Sequence, residues 1–310
     1  MNHLCSISDT AYLPKLLTLY NSLVDTQDDP FVLHVVCLDK TTEDFITKKN
    51  ASNLHAINIE EMELEDFQLR YTRYFGVPSQ EAISNASAQQ KDPRYIQYCW
   101  ALASYTCSYV LERLNVSSIL YADSDLFFYR NLSGIYEEIA DKSVGIVRHR
   151  IDYSPSVGEY NVGIVYFKND LVGRQCARWW KNVLLDTNNK YAKEYGVCGD
   201  QKYLELFAPL FGTENVCVID QKIGHLAPWN MYFHQYPSSS EKVVVWEGRT
   251  QPLYYFHFAH FVYENDKSYR SSYRNEWVWG VPEKVSTLAK VLYDEYFNAI
   301  RRVHAELKQQ

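Results

Sequence analysis

The residues most able to do chemistry in this sequence are two carboxylates at the end of an apolar run, in Ser118-Ile-Leu-Tyr-Ala-Asp-Ser-Asp-Leu-Phe-Phe-Tyr129. Asp123 and Asp125 flank Ser124, and an extended segment sends side chains two apart to the same side. Two carboxylates on one side suit a single hard divalent cation with coordination positions left over, which is what a diphosphate needs. The tripeptide alone is weak, because 18 aspartates in 310 residues yield about one Asp-x-Asp by chance. Its place, after a buried strand and behind a long helical segment, is what raises it. In open α/β sheets ligands bind at the carboxyl edge.

The strand needs a sheet, and the sequence supplies one in order. His3–Ser6 reads as a short strand, followed by the turn Ser8-Asp-Thr-Ala11. Leu13, Leu16, Leu17, Tyr20 and Leu23 recur at helical spacing. Phe31–Leu38 is apolar enough to be buried on both faces, Thr41–Lys49 reads as a second helix and Leu54–Ile57 as a third strand. That alternation predicts right-handed crossovers and parallel pairing. Between Met62 and Pro93 the pattern weakens, and Val77–Gln90 reads as a loop, either a plain surface connection or a lid. Arg94–Leu114 is helical, Val144–Val147 and Gly158–Phe167 are strands, and a helix with Trp179 and Trp180 follows. Asp200 and Gln201 open another helix. Short strands at Val216–Ile219 and Val243–Trp246 precede an aromatic strand, Leu253–Phe261. Pro282 introduces a terminal amphipathic helix with Val285, Leu288, Leu292, Tyr296, Ala299 and Val303 on one stripe.

Composition narrows the class. The 310 residues are 46% hydrophobic and 22% charged, ordinary for a globular chain. A net charge of −7 argues against nucleic acid as a partner. An acidic protein that handles an anionic nucleotide needs a metal or a local cationic pocket. The 26 tyrosines and 7 tryptophans fit either stacking surfaces in a cleft or an aromatic core. Seven scattered cysteines without Cys-x-x-Cys pairs read as free thiols of a reducing compartment, and sequons at Asn50, Asn85, Asn115 and Asn131 read as coincidence. With no signal peptide or apolar run of spanning length, the expectation is a cytoplasmic chain. Arg301 and Arg302 are where it could touch an anionic membrane at the inner face, although a helix docked on the body with solvated arginines is favoured.

With the strands placed, Ser8, Asp9, Tyr12, Asp123, Asp125, Asn161, Asp200, Gln201 and His257 gather towards one edge. Here the sequence resembles the metal-dependent nucleotide-sugar glycosyltransferases of the GT-A fold, specifically the family-8-like retaining enzymes and their bacterial relatives. Cys5–Leu13 is similar to the nucleoside-binding first loop and Leu120–Leu126 to the Asp-x-Asp metal motif. Tyr160-Asn-Val-Gly-Ile164 is similar to the strand lining the donor sugar, Gly199-Asp-Gln201 to the Asp-Gln pair beside the reacting carbon, and Phe256-His-Phe258 to the late metal histidine. The resemblance implies an α/β, GT-A type Rossmann-like mixed sheet flanked by helices, over residues 1–280, with residues 281–310 as a C-terminal helical extension packed on it.

Carried onto this chain, the resemblance implies Mn²⁺ or Mg²⁺ held by Asp123, Asp125 and His257, with the imidazole tilting the choice towards Mn²⁺. Asp9 would accept a hydrogen bond from the base and Tyr12 would stack on it, unless they are a helix cap and a core ring. Ser8, Ser124 and Gly163 complete the donor side; Asn161 and Asp200 would hold sugar hydroxyls, and Gln201 would lie near the anomeric carbon. Asp200 is alternatively an acidic residue in a helix first turn. His149, His225, Trp229, Asn230 and His260 are the candidates for the acceptor side, each with a structural alternative.

Two departures stand out. The helix before the metal strand has basic residues only near its ends, at Arg94 and Arg113, and His260 stands where the family pattern has glycine. Lys267 or Arg270 would have to supply charge at the diphosphate. The expected activity is transfer of a sugar from a nucleotide donor, UDP-linked by resemblance, to a saccharide or glycolipid acceptor in cell-surface polysaccharide or glycan assembly. Retention is implied only by resemblance; an inverting enzyme would need a base, for which Asp200 is the candidate. The rivals are a sugar nucleotidyltransferase, whose Gly-rich basic loop is missing, and a non-catalytic binder on the same fold.

Overall fold

Apolar runs near the start of the chain supply the first strands of the main sheet, and the later elements pack on it. The structure, a computed structural model, describes residues 1–78, 82–83, 92–151, 158–186, 199–237, 241–271 and 283–309. Strand β1 (Asn2–Ser8) pairs in parallel with β2 (Phe31–Cys37), and β2 with β3 (Leu54–Asn58). Every residue of β2 is buried, as its unbroken apolar run requires. Helix α1 (Leu13–Thr26) crosses from β1 to β2, and the leucines at helical spacing are all among the residues it buries. Helix α2 (Lys40–Lys49) is capped by Asp39, which accepts the amide of Thr42 (2.8 Å), and ends on Asn50 in the left-handed region (φ 49°).

The stretch after β3, where the sequence pattern weakens, holds two helices. Helix α3 (Ile59–Glu65) starts at Asn58 and α4 (Phe67–Phe75) at Asp66, both side chains accepting amides of their first turns. Helix α4 buries only Leu69 and Thr72, while Phe67, Tyr71, Tyr74 and Phe75 recur at helical spacing on its exposed side, with Phe67 74% exposed. The expected loop or lid of residues 77–90 lies mostly outside the described residues, as do Asn85, Cys198 and Pro282. The other six cysteines are free thiols.

Helix α5 (Pro93–Arg113) leads into β4 (Ser118–Ala122), which pairs in parallel with β1 on the side away from β2. Next come β5 (Leu126–Phe128), α6 (Ser133–Ile139), β6 (Val144–Arg148) and β7 (Tyr160–Lys168). Strand β7 runs antiparallel to both β4 and β6. Helix α7 (Leu171–Leu185) is capped by Asp170; α8 (Phe207–Phe211) and β8 (Val216–Val218) follow, with β8 parallel to β6. The seven-stranded order is β3-β2-β1-β4-β7-β6-β8. The parallel pairing expected at the start holds, and the sheet as a whole is mixed.

One face of the sheet packs on α5 and α7, with Trp180 fully buried; the other packs on α1. A smaller sheet joins β9 (Gly224–Leu226), β10 (Val243–Trp246), β11 (Arg249–His257) and β5. Its strand β11 ends at His257, short of the expected Phe261. A hairpin, β12 (Val262–Asn265) with β13 (Ser268–Arg270), precedes the terminal helix α9 (Glu283–Leu307). Leu288, Leu292, Tyr296, Ala299 and Val303 of its stripe are buried, and its aromatic residues pack on Phe256, Phe258 and Phe261. Among the described residues, no helix is long and apolar enough to cross a membrane.

Tyr296 stacks on Phe258 with ring centroids 3.9 Å apart and meets Phe127 edge-on at 5.9 Å. Its hydroxyl is buried and makes no hydrogen bond among the described residues. Tyr296→Ala is therefore expected to cost about 3–5 kcal/mol by loss of a buried ring. Tyr296→Phe should be neutral or stabilising, because it removes a buried donor that has no acceptor. Urea unfolding of the two variants against the parent checks both directions.

Candidate active site

The site begins where β4 runs out. The amide of Asp123 donates to the Gly163 carbonyl (3.0 Å), and the amide of Leu126 donates back to the Asp123 carbonyl (3.1 Å). Asp123, Ser124 and Asp125 thus form a turn between β4 and β5, not the extended segment that alternation implied. The two carboxylates still converge, because the turn folds them over one point. Ser124, tucked between them, is buried and donates to the Ile7 carbonyl (2.6 Å) while meeting the Ser6 hydroxyl (3.0 Å).

The third group arrives from the far end of the chain. Strand β5 pairs with β11 so that Leu126 faces His257, and the Phe258 amide donates to the Asp125 carbonyl (2.9 Å). His257 Nε2 then lies 3.0 Å from Asp125 Oδ1 and 3.6 Å from Asp123 Oδ2. The ligating atoms of Asp123, Asp125 and His257 all fall within 4.8 Å of one another. Two hard carboxylate oxygens and one imidazole nitrogen at that spacing fit a divalent metal site.

Electrostatics bears the marks of this crowding. Burial pushes the Asp123 carboxyl above its ordinary value against the pull of His257, and the charge on Asp125 adds to the rise. Burial would raise Asp125 as well, but Lys15 and His257 beside it hold its carboxyl well below the usual carboxylate range. Burial disfavours charge on His257, yet Asp125 and Asp123 outweigh it and raise the imidazole. Tyr121 donates to Asp123 Oδ1 (2.8 Å), leaving Oδ2 turned towards His257.

A cavity of about 380 Å³ opens over this cluster. Ser8, Asp9 and Tyr12 line it from the end of β1, Tyr95 and Trp100 from α5, and Asn161, Asp200, Gln201, Trp229 and His260 from later segments. Asp9 has both oxygens engaged: Oδ1 accepts the Tyr12 amide (2.9 Å) and Oδ2 the Tyr95 hydroxyl (2.7 Å). The helix-cap alternative for Asp9 is not met: α1 is entered through Tyr12 without a side-chain cap, and Asp9 instead closes the turn before it while also facing the cavity. Burial raises the Tyr12 phenol, with the charges of Asp125 and Asp9 adding to it. Asn161 Oδ1 accepts the Gly163 amide (2.9 Å), and its amide nitrogen reaches Gln201 Oε1 (3.5 Å). Asp200 precedes a 3-10 turn, Gln201–Leu206, and its carbonyl accepts the Trp180 indole N–H (3.1 Å).

Several expected residues do not line the cavity. Gly163 is a space-maker: a Cβ there would sit 2.8 Å from His257 Nδ1 and 2.6 Å from Asn161 Oδ1. His225 is buried and stacked on Tyr255 at 5.4 Å, and Asn230 is used up by the Ala227 amide (2.9 Å) and the His149 carbonyl (3.1 Å). His149 is buried behind Asn161, which it meets at 3.4 Å, and burial lowers it to about 4. Of the acceptor-side candidates only Trp229, edge-on to His257 at 5.2 Å, and the exposed His260 reach the cavity. Lys267 and Arg270 lie on the β12–β13 hairpin away from it, Arg270 paired with Glu264 (2.8 Å). The expectation that either supplies charge at the site is not met. Sequence reasoning passed over Lys15, whose Nζ lies 3.4 Å from Asp125 Oδ2. Its signal was its position, one turn after Tyr12 on α1.

No family model matches the sequence. The uncharacterized protein YfnF of Bacillus subtilis strain 168 is 28% identical over 269 residues, spanning 82% of this chain and 80% of YfnF. The uncharacterized protein YfnD of the same organism is 23% identical over 313 residues, spanning 97% of this chain and 89% of YfnD. Among solved structures, the galactosyltransferase LgtC, in complex with donor and acceptor sugar analogs, superposes with a TM-score of 0.52 at 14% identity, over 93% of this chain and 95% of LgtC. The chain has the GT-A fold that such glycosyltransferases share.

Two outcomes follow from the geometry. Gly163→Ala should push the His257 ring out of place and cut divalent-cation affinity at least tenfold, the scale of a disturbed supporting shell, with the fold retained. Manganese titration by calorimetry, beside a thermal melt, reads this. Because Asp125 and Asp123 raise the His257 imidazole, a proton and a metal compete for Nε2. Mn²⁺ affinity should be level above that raised value and fall by up to about tenfold per pH unit below it, as the imidazole becomes charged.

Proposed function

We propose that this protein is a metal-dependent glycosyltransferase that moves a sugar from a nucleotide-sugar donor, UDP-linked, to a saccharide or glycolipid acceptor. The observation that carries the proposal is the convergence of Asp123, Asp125 and His257 on one point of a GT-A cavity. Those residues would hold Mn²⁺ or Mg²⁺, which would supply Lewis-acid stabilisation of the charge on the departing nucleoside diphosphate. Cell-surface polysaccharide or glycan assembly is the setting that such a donor and acceptor suggest.

The chain's own groups divide the remaining work. Asp9 and Tyr12, beside Tyr95 and Cys99, form the wall on which a base can stack and hydrogen-bond. Asn161, already oriented by the Gly163 amide, presents its amide group to sugar hydroxyls. Asp200 and Gln201 line the same cavity as the metal ligands, and they would contact the donor sugar there. With retention, the leaving phosphate guides the incoming hydroxyl on the same face and Asp200 orients the sugar. With inversion, Asp200 is the group placed to take the hydroxyl's proton. Trp229 and His260 edge the acceptor side, and a sugar face can rest on the indole.

A panel of nucleotide sugars incubated with Mn²⁺ or with chelator tests this. The expected result is slow, metal-dependent hydrolysis of one donor, reduced at least about 100-fold in Asp125→Ala. Metal-dependent nucleotide binding without any turnover towards saccharide acceptors would instead favour a binding protein on the same fold. Absence of both would remove the metal-site assignment.

A further inference from the structure

The cavity wall contains carboxylates and, among its described residues, neither lysine nor arginine. A diphosphate brings more negative charge to a site that already holds Asp123 and Asp125. One bound divalent cation offsets the two aspartates and leaves the diphosphate uncompensated. Among the described residues, the lysine that reaches the cluster is Lys15. It extends from the first turns of α1 across the Tyr12 ring, 4.6 Å from the centroid, and its side chain is 13% exposed. Asp125 is shared between two cationic groups: Oδ2 faces the Lys15 ammonium at 3.4 Å and Oδ1 faces His257 at 3.0 Å. Only Oδ1 is turned to the point where Asp123 and His257 also converge.

We propose that Lys15 is a resident counter-cation of the metal site: it holds Asp125 in a one-oxygen geometry, opposes binding of a bare divalent ion, and favours that ion once a nucleoside diphosphate arrives with it. The inference rests on the reading of the site as a metal–diphosphate site. Its physical basis is charge balance. With a divalent ion alone, Asp123, Asp125 and Lys15 leave the cluster positive and the ammonium repels the newcomer. With a diphosphate added, the sum turns negative and the same ammonium becomes attractive, acting on the phosphate oxygens through space or, by a turn of its flexible stem, directly. Cation and nucleotide then bind with positive coupling, each raising the affinity for the other by the same factor. Lys15 also meets the need that Lys267 and Arg270 do not, from the opposite end of the chain.

The test is calorimetric titration of wild type, Lys15→Met and Lys15→Arg with Mn²⁺ alone, and with UDP, GDP and ADP in the presence and absence of Mn²⁺. Lys15→Met should bind Mn²⁺ alone roughly tenfold more tightly, the scale of removing one nearby like charge in a well-solvated site. The same variant should bind the preferred nucleoside diphosphate with Mn²⁺ roughly tenfold more weakly, since a charge-assisted contact is lost. Lys15→Arg should keep the coupling. Thermal melts verify folding, and Lys15→Gln serves if the methionine variant does not fold. Unchanged constants in Lys15→Met, or weaker binding of Mn²⁺ alone, would overturn the proposal while leaving the function standing. A wild type with no Mn²⁺-dependent nucleotide binding would remove the functional reading and this inference together.

Discussion

One backbone hydrogen bond, from the Phe258 amide to the Asp125 carbonyl, fixes the spacing on which the site depends. It extends the antiparallel pairing of β5 with β11, which brings a histidine late in the chain to a carboxylate from its middle. Side chains alternate along a strand, so a slip of one residue would turn His257 to the opposite face. What resists the slip is aromatic packing: Phe127, Phe258 and Tyr296 interlock directly behind the pair, and Phe261 and Tyr293 extend the layer into α9. The hydrophobic cluster provides the energy, and the charged cluster receives its geometry from it.

That geometry is costly in isolation. Two unit charges 4 Å apart interact by about 4 kcal/mol at the effective dielectric of a protein surface, and burial adds to the penalty. The fold answers with partners for each oxygen rather than with distance. Tyr121 holds one oxygen of Asp123, while Lys15 and His257 divide those of Asp125. The result is a pair of carboxylates whose proton affinities are driven apart, Asp123 upwards and Asp125 downwards, by different surroundings. Such divergence is common at functional sites because a purely structural cluster has little reason to keep like charges together.

How far the sequence revealed this depended on whether the signal was local. The buried strands β1, β2 and β4, the leucines of α1 and the stripe of α9 announce themselves by period, and the structure places them as expected. Helices α3 and α4 were missed because α3 is only seven residues long and starts on a cap at Asn58, while α4, capped by Asp66, turns its spaced aromatic residues outward, so its period marks no core-facing side. Position within a cavity is harder still. Trp229 and Asn230 are neighbours in sequence, yet one faces the cavity and the other is spent on backbone groups. His225, open to either an acceptor-side or a structural reading, is a core ring stacked on Tyr255. Gly163 was noticed as part of a motif, but its use, to clear room for His257, depends on a contact between β7 and the end of β11 that no local pattern encodes.

The location of the cavity follows from the order of the strands rather than from any single motif. From β1 the chain builds outwards to β2 and β3, then returns to add β4 on the other side of β1. Connections diverge at that point, which leaves a crevice at the carboxyl ends of β1 and β4. Ser8 and Asp9 stand at one lip and Asp123 at the other, while Ser124 bridges them through Ser6 and the Ile7 carbonyl. Strand β7 then runs antiparallel to β4, with Ile164 opposite Ala122, so its beginning rather than its end arrives at the crevice. This is why Asn161, at the start of a strand, can share a cavity with aspartates that follow one. In a wholly parallel sheet the equivalent residue would lie at the opposite edge. The antiparallel insertion is therefore what lets one sheet present polar groups to both halves of an extended ligand.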